Sequence, residues 1–296
     1  MAHDSSLPRV ALIGFGEVGR IFARDLMAAG CEGLAAWDIA FVEPESAQTA
    51  AARSGGVRIA TSAADAAAGA DVVISAVTAG SAIAAAEPAA GALEQGAYYL
   101  DVNSVSPGTK QAVAALVEAG NGRFVEAAIM TSVPPRGLKS PMLLGGAHMA
   151  AFAGTMAPFA MDLTPYAERI GAASAVKMCR SVMVKGMEAL FLESMIAARH
   201  YGVEDDVLAS LKDMIDQDWE KLGGYMMSRA LTHGRRRAEE MREVARTVAE
   251  AGLDPLQSSA TAMRQDWAAD RNGEVGEAKT TELTKLLDLL VGRNGR

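Results

Sequence analysis

The chain has 296 residues, a formal net charge of −8 and 50% hydrophobic residues. That length suits two domains with a large apolar core, and the acidic balance excludes a general nucleic-acid surface, which needs a basic face to neutralise phosphates. No apolar run approaches the ~18 residues of a membrane span, and the N-terminal MAHDSSLPR lacks the charged start and apolar stretch of a secretory signal. Cys31 and Cys179 are too far apart for a metal spacing or a disulfide framework. Both read as small buried hydrophobes, and a cytoplasmic setting fits.

The first predicted strand, over 10–13, runs directly into GFGEVG and then a helical pattern. In such a unit Gly14 permits the tight turn, Gly16 lets the backbone approach a pyrophosphate, and Gly19 lets the helix pack close to the strand. The helix N-terminus presents unpaired N–H groups and partial positive charge to the phosphates. A second strand, over 34–37, ends at Asp38, whose carboxylate can accept hydrogen bonds from ribose hydroxyls and would repel a 2′-phosphate. Ile39 and Ala40 offer no compensating cation, so the cofactor expected is NAD, with NADP less favoured.

Further strands are expected over 71–77, 97–102, 124–130 and 142–144. Their alternation with helical stretches predicts a doubly wound parallel sheet. The alanine-rich stretches 63–70 and 82–92 read as short crossover helices, since alanine is the best helix former. A Rossmann domain over 1–168 is therefore expected, followed by an all-helical domain over 169–296.

Within the predicted helix over 175–200, Val182, Met183, Val184, Leu190, Phe191, Met195 and Ile196 cover most of the circumference, which implies a buried helix. At about 100° per residue, Lys177, Ser181, Lys185, Glu188 and Arg199 share one side. That stripe faces either a wet cleft or a set of buried ion pairs such as Lys185 with Glu188. An acidic amphipathic helix follows over 204–222 with Leu208, Leu211, Ile215 and Leu222 inward. Arg235, Arg236 and Arg237 read as a solvated face paired locally with Glu239, Glu240 and Glu243. Gly252 to Pro255 stop that helix, and a last amphipathic stretch runs over 280–291.

Chemistry gathers in two further segments. DVNSVSPGT places Asp101, Asn103, Ser104 and Ser106 just after a strand, where an open parallel sheet borders its ligand crevice, and the same residues suit a cap for a helix starting near Pro107. IMTSVPPRGLKSPMLLGG supplies Thr131 and Ser132 after another strand, then a proline-rich loop with Arg136 and Lys139.

Taken in order, these segments resemble the β-hydroxyacid dehydrogenases, the superfamily of 3-hydroxyisobutyrate and 6-phosphogluconate dehydrogenases, over nearly the whole chain. GFGEVG matches the family's GxGxMG, DVNSVSP its D-x-S-S/T-x-x-P, and GAASAVK its glycine-led segment ending in a catalytic lysine, here Lys177. KMCRSVMVKGMEAL, GRRRAEEMREVA and AGLDPL resemble the phosphogluconate-dehydrogenase-like branch with a C-terminal domain of its own. The resemblance implies a long interdomain helix bearing the lysine and a homodimer through the C-terminal domain. Ser181 stands where the family has asparagine, Met130-Thr131-Ser132 where it has serine-glycine-glycine, and Glu239-Glu240-Met241 near its KDL position, which allows a different substrate.

The expected function is thus a nicotinamide-dependent oxidoreductase acting on a small anionic hydroxy acid, with Lys177 as general acid–base. The residues expected at the substrate are Asn103, Ser104, Thr131, Ser132, Ser181 and Lys185. Those expected at the cofactor are Gly14, Phe15, Gly16, Glu17, Val18, Gly19, Asp38, Val77, Thr78 and Asn103. No metal, nucleic acid or membrane partner is implied. The alternatives are imine or ketimine reduction, disfavoured by the retained lysine, and a non-catalytic dinucleotide sensor.

Overall fold

The computed structural model describes residues 7–212, 218–250, 254–275 and 280–291. The chain divides into two compact units, Met1–Met178 and Cys179–Arg296. The first contains strands β1 (Val10–Ile13), β2 (Ala35–Trp37), β3 (Arg58–Ile59), β4 (Val72–Ser75), β5 (Tyr98–Asp101), β6 (Arg123–Ile129), β7 (Met142–Gly145) and β8 (Leu163–Ala167). Its helices are α1 (Glu17–Ala28), α2 (Ala47–Ser54), α3 (Ala63–Ala67), α4 (Ala82–Ala90), α5 (Pro107–Ala119) and α6 (Met149–Thr155).

All eight strands form one sheet in the order β3-β2-β1-β4-β5-β6-β7-β8. Successive strand residues point to opposite faces, so each strand feeds two cores. Val10, Leu12, Val72, Ile74, Leu100 and Val125 pack with Phe22 and Leu26 of α1 and Phe152 of α6. Ala11, Ile13, Val73, Tyr99 and Phe124 pack against the alanine-rich α3 and α4 and against Val113 and Val117 of α5. The alanines at 63, 66, 82, 86 and 89 lie in that second core, where small side chains let the crossover helices approach the sheet.

Three features of the sheet differ from the sequence expectation. β7 runs antiparallel to β6, because the loop between them holds no crossover helix and simply reverses the chain. β3 is only Arg58–Ile59, too short to show an apolar period. β8 carries Pro165 and is exposed over much of its length, which suits the sheet edge it occupies.

The second unit is helical. α7 (Ala172–Tyr201) runs across the Met178/Cys179 boundary, followed by α8 (Glu204–Lys212), α9 (Trp219–Glu250), α10 (Leu256–Asp270), α11 (Asn272–Val275) and α12 (Leu283–Leu290). Phe191, Leu192 and Met195 of α7, Met226, Met227 and Leu231 of α9 and Leu283, Leu286 and Leu287 of α12 form its core. Gly234 lets α9 and α10 close on each other, since a methyl there would collide with the Gln265 carbonyl. Of the helix expected over 204–222, α8 covers Glu204–Lys212 with Leu208 and Leu211 half-buried and α9 begins at Trp219 with Leu222 half-buried, while Ile215 lies outside the described residues. Gly252 and Leu253 also lie outside them. Cys31 is buried but Cys179 is exposed, so only the first behaves as a small core hydrophobe. No described helix is long and apolar enough to cross a membrane.

Candidate active site

The crevice lies where β1 pairs with both β2 and β4, the point at which the order of the strands reverses. Here the glycine loop leaves β1. Gly14 has φ +95°, which excludes most side chains, and a methyl group on it would collide with the Ala76 carbonyl after β4. A methyl on Gly19 would collide with the Gly14 carbonyl, so α1 sits against the loop only because position 19 is glycine. Gly16 is different: no protein atom lies within 4 Å of where its Cβ would be. Protein packing does not require a glycine there, whereas a phosphate cradled by backbone does. Gly16 also caps α1 without any side-chain hydrogen bond, which leaves the first N–H groups of a 12-residue helix for an anion. The loop thus fits a dinucleotide pyrophosphate. Glu17 is exposed at the helix start, while Phe15 is buried and Val18 packs against the core.

Asp38 follows β2 and ties the loop in place. Its Oδ2 accepts from the Phe15 N–H at 2.6 Å and its Oδ1 from the Ala40 N–H at 2.8 Å. Each carboxylate oxygen keeps a further lone pair for a hydroxyl. Beside it Ile39 and Val42 are 81% and 70% exposed, an apolar surface next to the glycine loop.

At the ends of β4 and β5 the side chain of Asn103 works as a clamp. Its Oδ1 accepts from the Val77 N–H at 2.7 Å and its Nδ2 donates to Ser75 Oγ at 2.9 Å. Asn103 is buried, and its amide ties the residues that follow β4 to the end of β5. Thr78 is exposed, with its hydroxyl 3.0 Å from that of Ser81. Beneath Asn103, Asp101 Oδ1 accepts the Asn103 N–H at 2.8 Å and pairs with Lys110 Nζ at 3.0 Å. Nothing in the local sequence marks Lys110 as a core residue, because its partner lies across the strand–helix junction.

Ser106 caps α5, accepting from the Thr109 N–H at 3.1 Å, as expected of the segment before Pro107. Half-buried Ser104, in the same loop, accepts a hydrogen bond from Lys177 Nζ. The sequence separates these two residues widely; β5 and the start of α7 bring them together. Thr131 and Ser132 lie exposed after β6, in a loop fastened to α1 where the Leu138 N–H donates to Asp25 Oδ2 at 3.1 Å.

The rest of the polar stripe belongs to the helical unit, and there ion pairs account for it. Lys185 Nζ meets Glu240 Oε2 at 2.6 Å and lies 3.4 Å from Ser181 Oγ. Burial lowers the Lys185 pKa, and Glu240 opposes that shift. Glu188 pairs with Arg237 rather than with Lys185. Arg237 is therefore not on a solvated face; burial pushes its guanidinium down to about 10, still charged at neutral pH. Arg236 does pair locally with Glu240, while Arg235 reaches Asp266 and Asp270 on α10. Arg199 joins Glu204 and Asp288.

Residues 9–154 match the family model of the NAD binding domain of 6-phosphogluconate dehydrogenase, and residues 198–268 match a domain of unknown function, DUF1932. A conserved hypothetical protein from Sinorhizobium meliloti 1021 is 34% identical, with 98% of each chain covered and a TM-score of 0.76. A conserved protein of unknown function, noted for structural similarity with 3-hydroxyacid dehydrogenases, is 35% identical over 88% of this chain and 97% of its own, with a TM-score of 0.69. An uncharacterized 28.5 kDa protein of Methanothermus fervidus is 29% identical over 86% of this chain and 96% of its own. At 18% and 17% identity a Mycobacterium tuberculosis 3-hydroxyisobutyrate dehydrogenase and an Aspergillus terreus reductive aminase share the fold alone, with TM-scores of 0.68 and 0.55. The chain belongs to the 3-hydroxyacid dehydrogenase-like family in which an NAD-binding domain of the 6-phosphogluconate dehydrogenase type is joined to a DUF1932 domain.

Proposed function

We propose that the protein is a nicotinamide-dependent oxidoreductase that interconverts a small hydroxy acid and its carbonyl form, with Lys177 as the general acid–base. The observation that carries this reading is the hydrogen bond from Lys177 Nζ to Ser104 Oγ, which sets an amine and a hydroxyl side by side at the carboxyl end of β5, the side of the sheet on which the glycine loop lies. Gly14 to Gly19, Val77 and Thr78 would hold the cofactor, and Asp38 its ribose, with NAD preferred over NADP because the carboxylate repels a 2′-phosphate. When bound, the nicotinamide supplies the hydride acceptor. Lys177, in its neutral form, takes the substrate hydroxyl proton during oxidation and returns it during reduction. Ser104, Thr131 and Ser132 orient the substrate by hydrogen bonds, while Ser181, expected there from the sequence, lies in the helical unit beside Lys185. Lys185 is left out of this set because Glu240 takes up its ammonium group, and Asn103 joins Val77 to Ser75.

The test is turnover of a panel of hydroxy acids with NAD and NADP, alongside reduction of keto acids and ketimines. Oxidation of at least one hydroxy acid is expected, with higher kcat/KM for NAD. Turnover of ketimines alone would replace the reaction class, and no turnover with any member would favour a dinucleotide sensor.

We further propose a homodimer through the helical unit. Of the apolar residues expected to be buried on α7, Met183 and Leu190 are 64% and 58% exposed within the single chain, as are Met187 and Tyr201 at 40% and 77%. They fall within roughly 60° of arc on the helix, so they form one apolar seam suited to a second copy. Sedimentation velocity is expected to show a dimer that Leu190→Glu converts to monomer. A wild-type monomer at micromolar concentration would contradict this.

A further inference from the structure

From the contacts at the start of α7 we infer that Glu126 is a positioning residue for Lys177. Glu126 sits inside β6 and is fully buried, opposite Gly145 of β7. A carboxylate in such a place needs hydrogen-bond donors. It finds them at the start of α7: Oε2 accepts from the Gly171 N–H at 2.8 Å and Oε1 from the Ala173 N–H at 2.8 Å. Ser174 Oγ adds a third contact at 3.4 Å. These are the orphan donors of a first helical turn, which a serine or aspartate just before the helix ordinarily satisfies. Gly171, with φ +95°, carries no side chain for that task, and a methyl on it would press against Pro107 Cβ at 2.9 Å. A residue far away in sequence therefore caps α7, and its negative charge meets the positive end of a 30-residue helix.

The position of Lys177 follows from this anchor. The first turn of α7 is fixed by Glu126 at its N–H groups and by Pro107 at its side. Pro107 opens α5, and the loop just before it holds Ser104, the acceptor of the Lys177 hydrogen bond. Position 145 is glycine for the same reason, since a methyl there would collide with Glu126 Oε1. The strand thus gives up a side chain to make room for the carboxylate. Without the anchor, the start of α7 would lose its hydrogen bonds to β6.

The catalytic consequence depends on the acid–base role proposed for Lys177, whereas the anchoring does not, and two readouts on the full-length protein separate them. The first is the acetylation rate of Lys177 by an amine-reactive reagent, followed by mass spectrometry, with exposed Lys221 as internal reference. Because the neutral amine fraction tracks the surroundings of the nitrogen, Glu126→Gln is expected to change the Lys177 rate by about threefold or more, with Lys221 unchanged. The second is turnover, where kcat is expected to fall about 10- to 100-fold from misplacement of the amine while KM for the cofactor stays within about twofold. Glu126→Asp, which keeps the charge but shortens the reach, is expected to give a smaller change in the same direction, and serves if the glutamine variant does not fold. Phe152→Leu, in the core under α6, controls for lost stability and is expected to lower Tm without moving the Lys177 rate. An unchanged Lys177 rate in the Glu126 variants, or an equal change in Phe152→Leu, would overturn the inference. A changed Lys177 rate in a protein that turns over no substrate would uphold the anchor and overturn the proposed activity.

Discussion

Lys110→Met is expected to destabilise the first unit by about 3–5 kcal/mol, the penalty for leaving a buried charge without its partner. The side chains of Lys110 and Asp101 are both 0% exposed, and Nζ lies 3.0 Å from Asp101 Oδ1. The same Nζ donates to the Asp101 carbonyl at 2.6 Å, so the lysine satisfies two acceptors at the end of β5. Methionine keeps the stem and removes both contacts. At about 2–4 °C per kcal/mol for a unit of this size, Tm should fall by roughly 6–20 °C. Adding Asp101→Asn removes the stranded charge, so the double variant should recover part of the loss, and the cycle should show strong coupling. Because Asp101 also accepts the Asn103 N–H, the variant should loosen the loop that carries Ser104. A Lys110→Met protein melting at the wild-type temperature would show that the pair is replaceable by packing.

The parts of this molecule legible in its sequence are those fixed by local chemistry. The glycine loop could be read because Gly14 and Gly19 each meet a backbone carbonyl where a side chain would stand and Gly16 leaves the helix start open, all within six residues, and Asp38 because it follows a strand at the crevice. Ser106 announced a helix start by the same local logic. Lys177 was legible through a motif resemblance, since spacing alone gave a polar stripe open to two readings. What could not be read depends on partners remote in sequence. Glu188 meets Arg237 and Lys185 meets Glu240 only after α7 and α9 pack, so a run of three arginines looked solvent-facing although its last member is buried. Glu126 gave no signal at all: one acid within an apolar strand shows neither that it is buried nor that it caps a helix 45 positions further on. Asn103 appeared in the sequence as a ligand group, and the fold adds what the sequence did not show, that its amide also joins Val77 to Ser75. The β3 and β8 edges lacked the apolar alternation that reveals a strand, one being two residues long and the other interrupted by proline.

Lys177→Met is expected to have the largest effect on activity. Methionine preserves length and packing but cannot exchange a proton, and general acid–base catalysis typically contributes ~10²–10⁴-fold. In the proposed reading the glycine loop and Asp38 hold the cofactor through groups that do not include Lys177, so affinity for it should change little. Ser104 would lose its amine donor and keep its place in the loop before α5. If Lys177 instead served only to pin α7 to that loop, the variant would lose stability and keep its activity in the folded fraction. The most direct test is single-turnover hydride transfer from the best hydroxy acid, followed by nicotinamide absorbance, with wild type and Lys177→Met both saturated with cofactor. A rate lowered by ~10²–10⁴-fold in the variant is the result predicted for a lysine that moves the substrate proton; an unchanged rate in the folded, cofactor-saturated variant would contradict it.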